Sequence, residues 1–169
     1  MPSGSISAAA MPTTTGRAAG RRGDRGNLLS DRLIVVIEQN VETIASLWIE
    51  AVKTSRSTPS YHDFDEARLR RRIDKDLSQF GKWLSGVYGD EDVRDFYMAL
   101  GRERKREGFK LRELLSALSL LKKHIWEYAL SQGMWRKTLD MYAALELDRR
   151  IVNHFDRAAF HMTRGYEGR

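Results

Sequence analysis

The chain has 169 residues, 41% hydrophobic and 31% charged, with a formal net charge of +6 and no cysteine. That length and balance suit one globular domain with its own core. Disulfides, thiolate catalysis and Cys-ligated zinc are excluded. No apolar run nears the roughly 20 residues that cross a bilayer, the best candidate being Leu33 to Ile37, which ends at Glu38. No membrane partner and a reducing cytoplasm are the expectations.

Residues 1–26 are rich in Ala, Gly, Ser, Thr and Arg and nearly lack large apolar side chains. Such a segment buries too little surface to offset its ordering entropy, so a disordered basic tail is expected. It holds Arg17, Arg21, Arg22 and Arg25 against Asp24, which is +3 of the total +6. The basic balance therefore does not imply a basic face on the folded part, expected over residues 27–164.

From Leu28 the periodicity is helical. Leu33, Ile37, Val41, Ile44, Trp48 and Val52 form one apolar face of a continuous first helix that runs into the Ser55–Ser60 loop with Pro59. The second helix is expected from an N-cap at Asp63 or Asp65, with Leu69, Ile73, Leu77, Phe80, Leu84 and Val87 inward. Its opposite face carries Arg68, Arg70, Arg71, Arg72, Asp74 and Lys75. The third places Val93, Phe96, Tyr97 and Leu100 inward and ends at Gly108, whose missing side chain tolerates a left-handed stop. The fourth spans about Leu111 to Ser131 and is apolar over more than one face, the mark of a central helix. The fifth begins near Trp135 and reaches Met162. Along it Met141, Leu145, Val152, Phe155, Ala159 and Met162 form a heptad-like seam interrupted by Asp148. The fold class is therefore all-α, about five main helices in a bundle.

Chemistry is sparse. His124, between Leu121 and Ile125 but beside Lys122 and Lys123, is the one weak haem-ligand candidate. His154 and His161 are seven apart, not the three or four usual for a helical metal pair, and read as surface or interface residues. Glu38 with Glu42, and Glu103 with Glu107, stand four apart and read as solvated charged faces. Phosphate-loop, nucleophile-elbow, dinucleotide and Glu-x-x-His signatures are absent from the sequence. The basic runs Arg68–Arg72 and Arg102–Arg106 suggest phosphate contacts, but they neighbour acids and lack a helix-turn-helix frame, so nucleic-acid binding is not expected. Trp48, Trp83, Trp126 and Trp135 read as core packing. No catalytic residue, cofactor or metal is expected.

Three segments together carry a resemblance: the first helix through Glu42, Trp48 and Val52; Phe80, Trp83 and Leu84; and the run Leu100-Gly101-Arg102, Gly108-Phe109, Leu111, Glu113-Leu114-Leu115, Ala117-Leu118, Leu120-Leu121. From Leu28 to about Met162 the chain resembles the N-terminal sensor-type domain of the RsbR/RsbRD co-antagonists of bacterial stress signalling. The resemblance implies a globin-like helical fold without haem, a homodimer, and a regulatory role upstream of an output module. Only seven residues follow Met162, so the expectation is a stand-alone sensor-like protein or a truncated piece, with an output partner supplied in trans. The expected function is non-enzymatic regulation through protein–protein contacts, with the Met141–Met162 seam as interface. A haem- or small-ligand-binding globin is the alternative, and a helical nucleic-acid binder a more distant one.

Overall fold

A computed structural model of the chain describes residues 24–85, 89–132 and 138–168, without the side chains of residues 24–30, 33, 138 and 139. Of the expected tail over residues 1–26, residues 1–23 lie outside that description and residues 24–26 are helical; the side chains of Leu33, Val87, Trp135 and Leu139 also lie outside it. Seven α-helices and one 3₁₀ turn make up the described residues: α1 (Asp24–Gln39), α2 (Val41–Thr54), the turn (Pro59–Tyr61), α3 (Glu66–Ser78), α4 (Phe80–Leu84), α5 (Asp90–Arg106), α6 (Leu111–Ser131) and α7 (Thr138–Glu167). They form an all-α bundle, as the periodicity predicts.

The two expected long N-terminal helices are each divided. Asn40 leaves helical geometry at φ −124° and its side-chain amide donates to the Val36 carbonyl at 2.7 Å. Asparagine competes in this way with the helix's own ladder. The break lets α1 leave the line of α2 and pack on α7, α4 and α6. Asp65 caps α3 as expected, accepting the Arg68 N–H at 2.7 Å. Gln79 then interrupts the ladder, its N–H bonding Asp76 at 3.3 Å, and α4 sets off as a separate short helix. Gly81 on α4 lies so close to Ile34 and Glu38 of α1 that a Cβ would clash with both.

α5 carries Asp90, Glu91 and Asp92 in its first turn and Arg104, Lys105 and Arg106 in its last, matching the helix dipole at both ends. Gly108 has φ +85°. Its N–H bonds Lys105 and the Phe109 N–H bonds Arg104, both at 3.1 Å. This is a Schellman stop, and it explains the Gly-Phe pair: glycine for the left-handed step, a buried phenylalanine to seal it.

α5 and α7 make the most extensive helix pair. Gly101 of α5 faces the Met162 carbonyl, and Gly165 of α7 faces the Met98 backbone, so the two backbones touch without intervening side chains. The core runs from Ile37 and Ile44 through Leu69, Ile73 and Ile125 to Leu147 and Ile151. Burying each such side chain contributes about 1.5–3 kcal/mol. α6, central as expected, contributes Leu114, Ala117, Leu121, Ile125 and Ala129.

Candidate functional site

The bundle encloses a cavity of about 70 Å³ to which every helix from α2 to α7 contributes. Six aromatic rings dominate its wall: Trp48 of α2, Tyr61 of the 3₁₀ turn, Phe80 and Trp83 of α4, Tyr97 of α5 and Phe155 of α7. Leucines of α3 and α6 complete it. Trp48 is fixed by donating its indole N–H to the Ala117 carbonyl at 2.8 Å. Tyr61 is held on its far side by Phe109, 4.7 Å between ring centres. The turn that carries Tyr61 is tied to α6, because the fully buried Glu113 accepts the Ser60 N–H at 2.7 Å. The other oxygen of Glu113 has no hydrogen-bond partner.

Behind the wall sits His154, expected at the surface and found buried. Its ring stacks on Trp83 at 5.2 Å and meets Phe80 and Phe155 edge-on. Its Nε2 lies 3.0 Å from the Tyr97 hydroxyl. Burial, and then the charge of Arg157, push its pKa down to about 4, so the ring is neutral at pH 7. Burial likewise lifts the Tyr97 phenol well above its ordinary range. The pair is a neutral hydrogen bond in an aromatic setting, which sequence reasoning missed because two helical turns between histidines looked like surface spacing.

One side of the cavity is charged. Arg68 and Arg72 of α3 and Arg104 of α5 converge on the Glu107 carboxylate: Arg68 at 3.2 Å, Arg104 at 2.8 Å and Arg72 with two bonds, one of 3.1 Å. Burial works to raise the Glu107 pKa, but the Arg72 hydrogen bond and the Arg104 charge outweigh it and hold it below the usual range. Glu103 adds longer contacts to Arg104 at 3.4 Å and Arg72 at 3.8 Å. Two sequence readings are corrected here. Glu107 is not part of a solvated face, and Arg72 is not on the outer face of its helix. The two basic runs meet each other through a glutamate, and three of their arginines are occupied within the fold.

Asp76 also lines the cavity. Among the described residues its carboxylate has no hydrogen bond and no ion pair. Burial raises its pKa to about 7, against the downward pull of Arg104, Lys75 and Arg72. Nothing in the periodicity marked it, although seven residues separate it from Leu69 and so place both on one side of α3. The arrangement offers a largely aromatic cavity with one carboxyl that has no hydrogen-bond partner among the described residues.

His124 is half-buried on α6, its Nδ1 3.6 Å from the Glu127 carboxylate, and it does not line the cavity. Among the described residues no cluster of His, Cys, Asp or Glu suits a metal ion. No helix there is long and apolar enough to cross a membrane. The α7 seam divides in two. Phe155 and Met162 are buried within the protomer, and Val152 and Ala159 are half-buried. Met141 and Leu145 stand 61% and 65% exposed, with Tyr142 beside them at 67%.

Over the described residues, fold and site together define an all-α domain with a small, largely aromatic cavity between its helices. Residues 42–168 match the model of the RsbT co-antagonist protein rsbRD N-terminal domain, and the chain belongs to that family, one of regulatory domains of stress signalling. The match begins in α2, so α1 lies outside it. No curated protein and no solved structure matches the chain.

Proposed function

We propose that the chain is a non-enzymatic regulatory module that acts through protein–protein contact, as a homodimer in which the N-terminal half of α7 meets its own copy, with an output protein supplied separately. The observation that carries this reading is the strip of Met141, Tyr142 and Leu145, three large apolar side chains exposed together on one stretch of helix. Exposed apolar groups clustered in this way mark interaction surfaces. Around them the charges are of both signs: Glu146 holds Arg149 at 2.8 Å and Arg150 at 3.1 Å, and Arg150 also reaches Asp31 of α1 at 3.1 Å. A patch of mixed sign is suited to pairing with itself about a two-fold axis. The alternative of a haem globin has less support, since His124 is away from the cavity.

Light scattering tests the reading. The 19.5 kDa chain is expected at twice its mass, and Tyr142→Glu with Leu145→Glu is expected at the monomer mass with unchanged circular dichroism. A monomeric wild type, or a double variant that stays dimeric, overturns the dimer. Phe155→Glu is unsuited to this purpose, because Phe155 is core.

A further inference from the structure

The cavity sits in a domain read above as a module that responds to a signal, and its lining says what kind of molecule fits. Its walls include the aromatic rings of Trp48, Tyr61, Trp83 and Tyr97, with one carboxyl, Asp76, on the same space. The neighbouring arginines are engaged: Arg72 and Arg104 are bound to Glu103 and Glu107. Among the lining residues an anionic ligand would therefore find no free cation and would face Asp76. A purely apolar ligand would fill the space but cover the half-buried Asp76 carboxyl without giving it a donor, which is costly. A small organic cation satisfies both features, since its charge pairs with the carboxylate and its hydrogens lie against aromatic rings. A cavity of about 70 Å³ is less than half the roughly 150 Å³ of an engineered one that holds benzene, which limits the guest to about three non-hydrogen atoms.

We propose that the chamber bounded by Asp76, Trp48, Tyr61, Trp83 and Tyr97 is a binding site for a small primary alkylammonium ion. The site rests on the regulatory reading only for its purpose; its chemistry stands on the lining alone. Both α3, through Asp76, and α7, through Phe155, border the chamber. Occupancy would bear directly on the helix that displays Met141 and Leu145 ten or more residues away.

The probe is ethylammonium, with ethanol and acetate as neutral and anionic counterparts of similar length. Trp48 and Trp83 fluorescence and the melting temperature report occupancy in the full chain. Ethylammonium is expected to change both in a saturable way, with a dissociation constant of about 10 mM or tighter. Ethanol should bind at least about tenfold more weakly and acetate not at all. Asp76→Asn should weaken ethylammonium at least about tenfold, and Leu118→Trp, which fills the chamber from α6, should abolish binding. The second variant keeps the test decisive if the first folds poorly. Equal binding of ethanol, no saturable response to ethylammonium, or undiminished binding by a folded Asp76→Asn variant overturns the proposal. Titrating the Tyr142→Glu, Leu145→Glu variant as well separates the two readings. Binding without a dimer removes the contact model and leaves the site, whereas a dimer without binding does the reverse.

Discussion

The two halves of α7 have similar sequence patterns and opposite fates. From Phe155 to Gly165 the helix lies against α5 so closely that Gly101 and Gly165 leave no room for a Cβ, and Phe155 and Met162 are sealed in the core. From Met141 to Leu145 large apolar side chains stand in the open. A seam with steps of three and four says that a helix has an apolar side, but not what covers it. Covering is decided by neighbours: α5 provides it for the C-terminal half, and its reciprocal glycines make the approach possible.

Substitutions should separate the halves by size of effect. Phe155→Ala, in the buried half, is expected to cost about 3–5 kcal/mol in chemical denaturation. A loss below 1 kcal/mol would mean that the ring is not the packed element described here.

The buried half should also carry the pH response. Asp76 has its pKa raised to about 7 in the fold, so the folded state holds its proton more tightly than the unfolded chain. Its contribution to stability is present at low pH and is lost as pH rises from the ordinary carboxylate range through 7. His154 has its pKa lowered to about 4, so its contribution is present above the usual imidazole value and is lost as pH falls towards 4. Between about pH 4 and 6.5 the two trends oppose each other. Wild-type stability should therefore change little there, whereas Asp76→Asn should lose a few kcal/mol on acidification across that window and exceed the wild type at pH 8. Denaturation midpoints measured from pH 4 to 8 check this; parallel profiles for the two proteins would contradict it. Asp76 is faced by Arg72 and Lys75 on its own helix and by Tyr97, Glu103 and Arg104 on α5.

Gly101→Ala should cost about 1–3 kcal/mol, since the added methyl meets the Met162 backbone rather than a movable side chain. At the small end, Met141→Ala and Tyr142→Ala should leave monomer stability within about 0.5 kcal/mol while weakening self-association. Denaturation at low protein concentration isolates the first quantity.

Much of the fold was legible from residues whose role is local. The bounds of α6, the cap at Asp65 and the stop at Gly108 each rest on chemistry within a few positions. The breaks at Asn40 and Gln79 were not legible, because the apolar spacing runs on through both; what interrupts the ladder is an amide side chain in one case and the turn towards α4 in the other. The cavity was the hardest feature to foresee. Arg72, Asp76 and His154 are polar residues at the edge of apolar faces, and their inward placement depends on partners on other helices: Glu107 for Arg72, Tyr97 and Trp83 for His154. For Asp76 no hydrogen-bond partner among the described residues explains it, and the proposed guest rests on that.

The exposed half of α7 is tested most directly by distances across a dimer. The chain has no cysteine, so Met141→Cys and Phe160→Cys each place a spin label at a single exposed site, one in each half of the helix. Pulsed dipolar spectroscopy on the two singly labelled proteins should give an inter-protomer distance for both, clearly shorter at position 141. A shorter distance at position 160, or no dipolar coupling at either site, would contradict an interface built on the N-terminal half of α7.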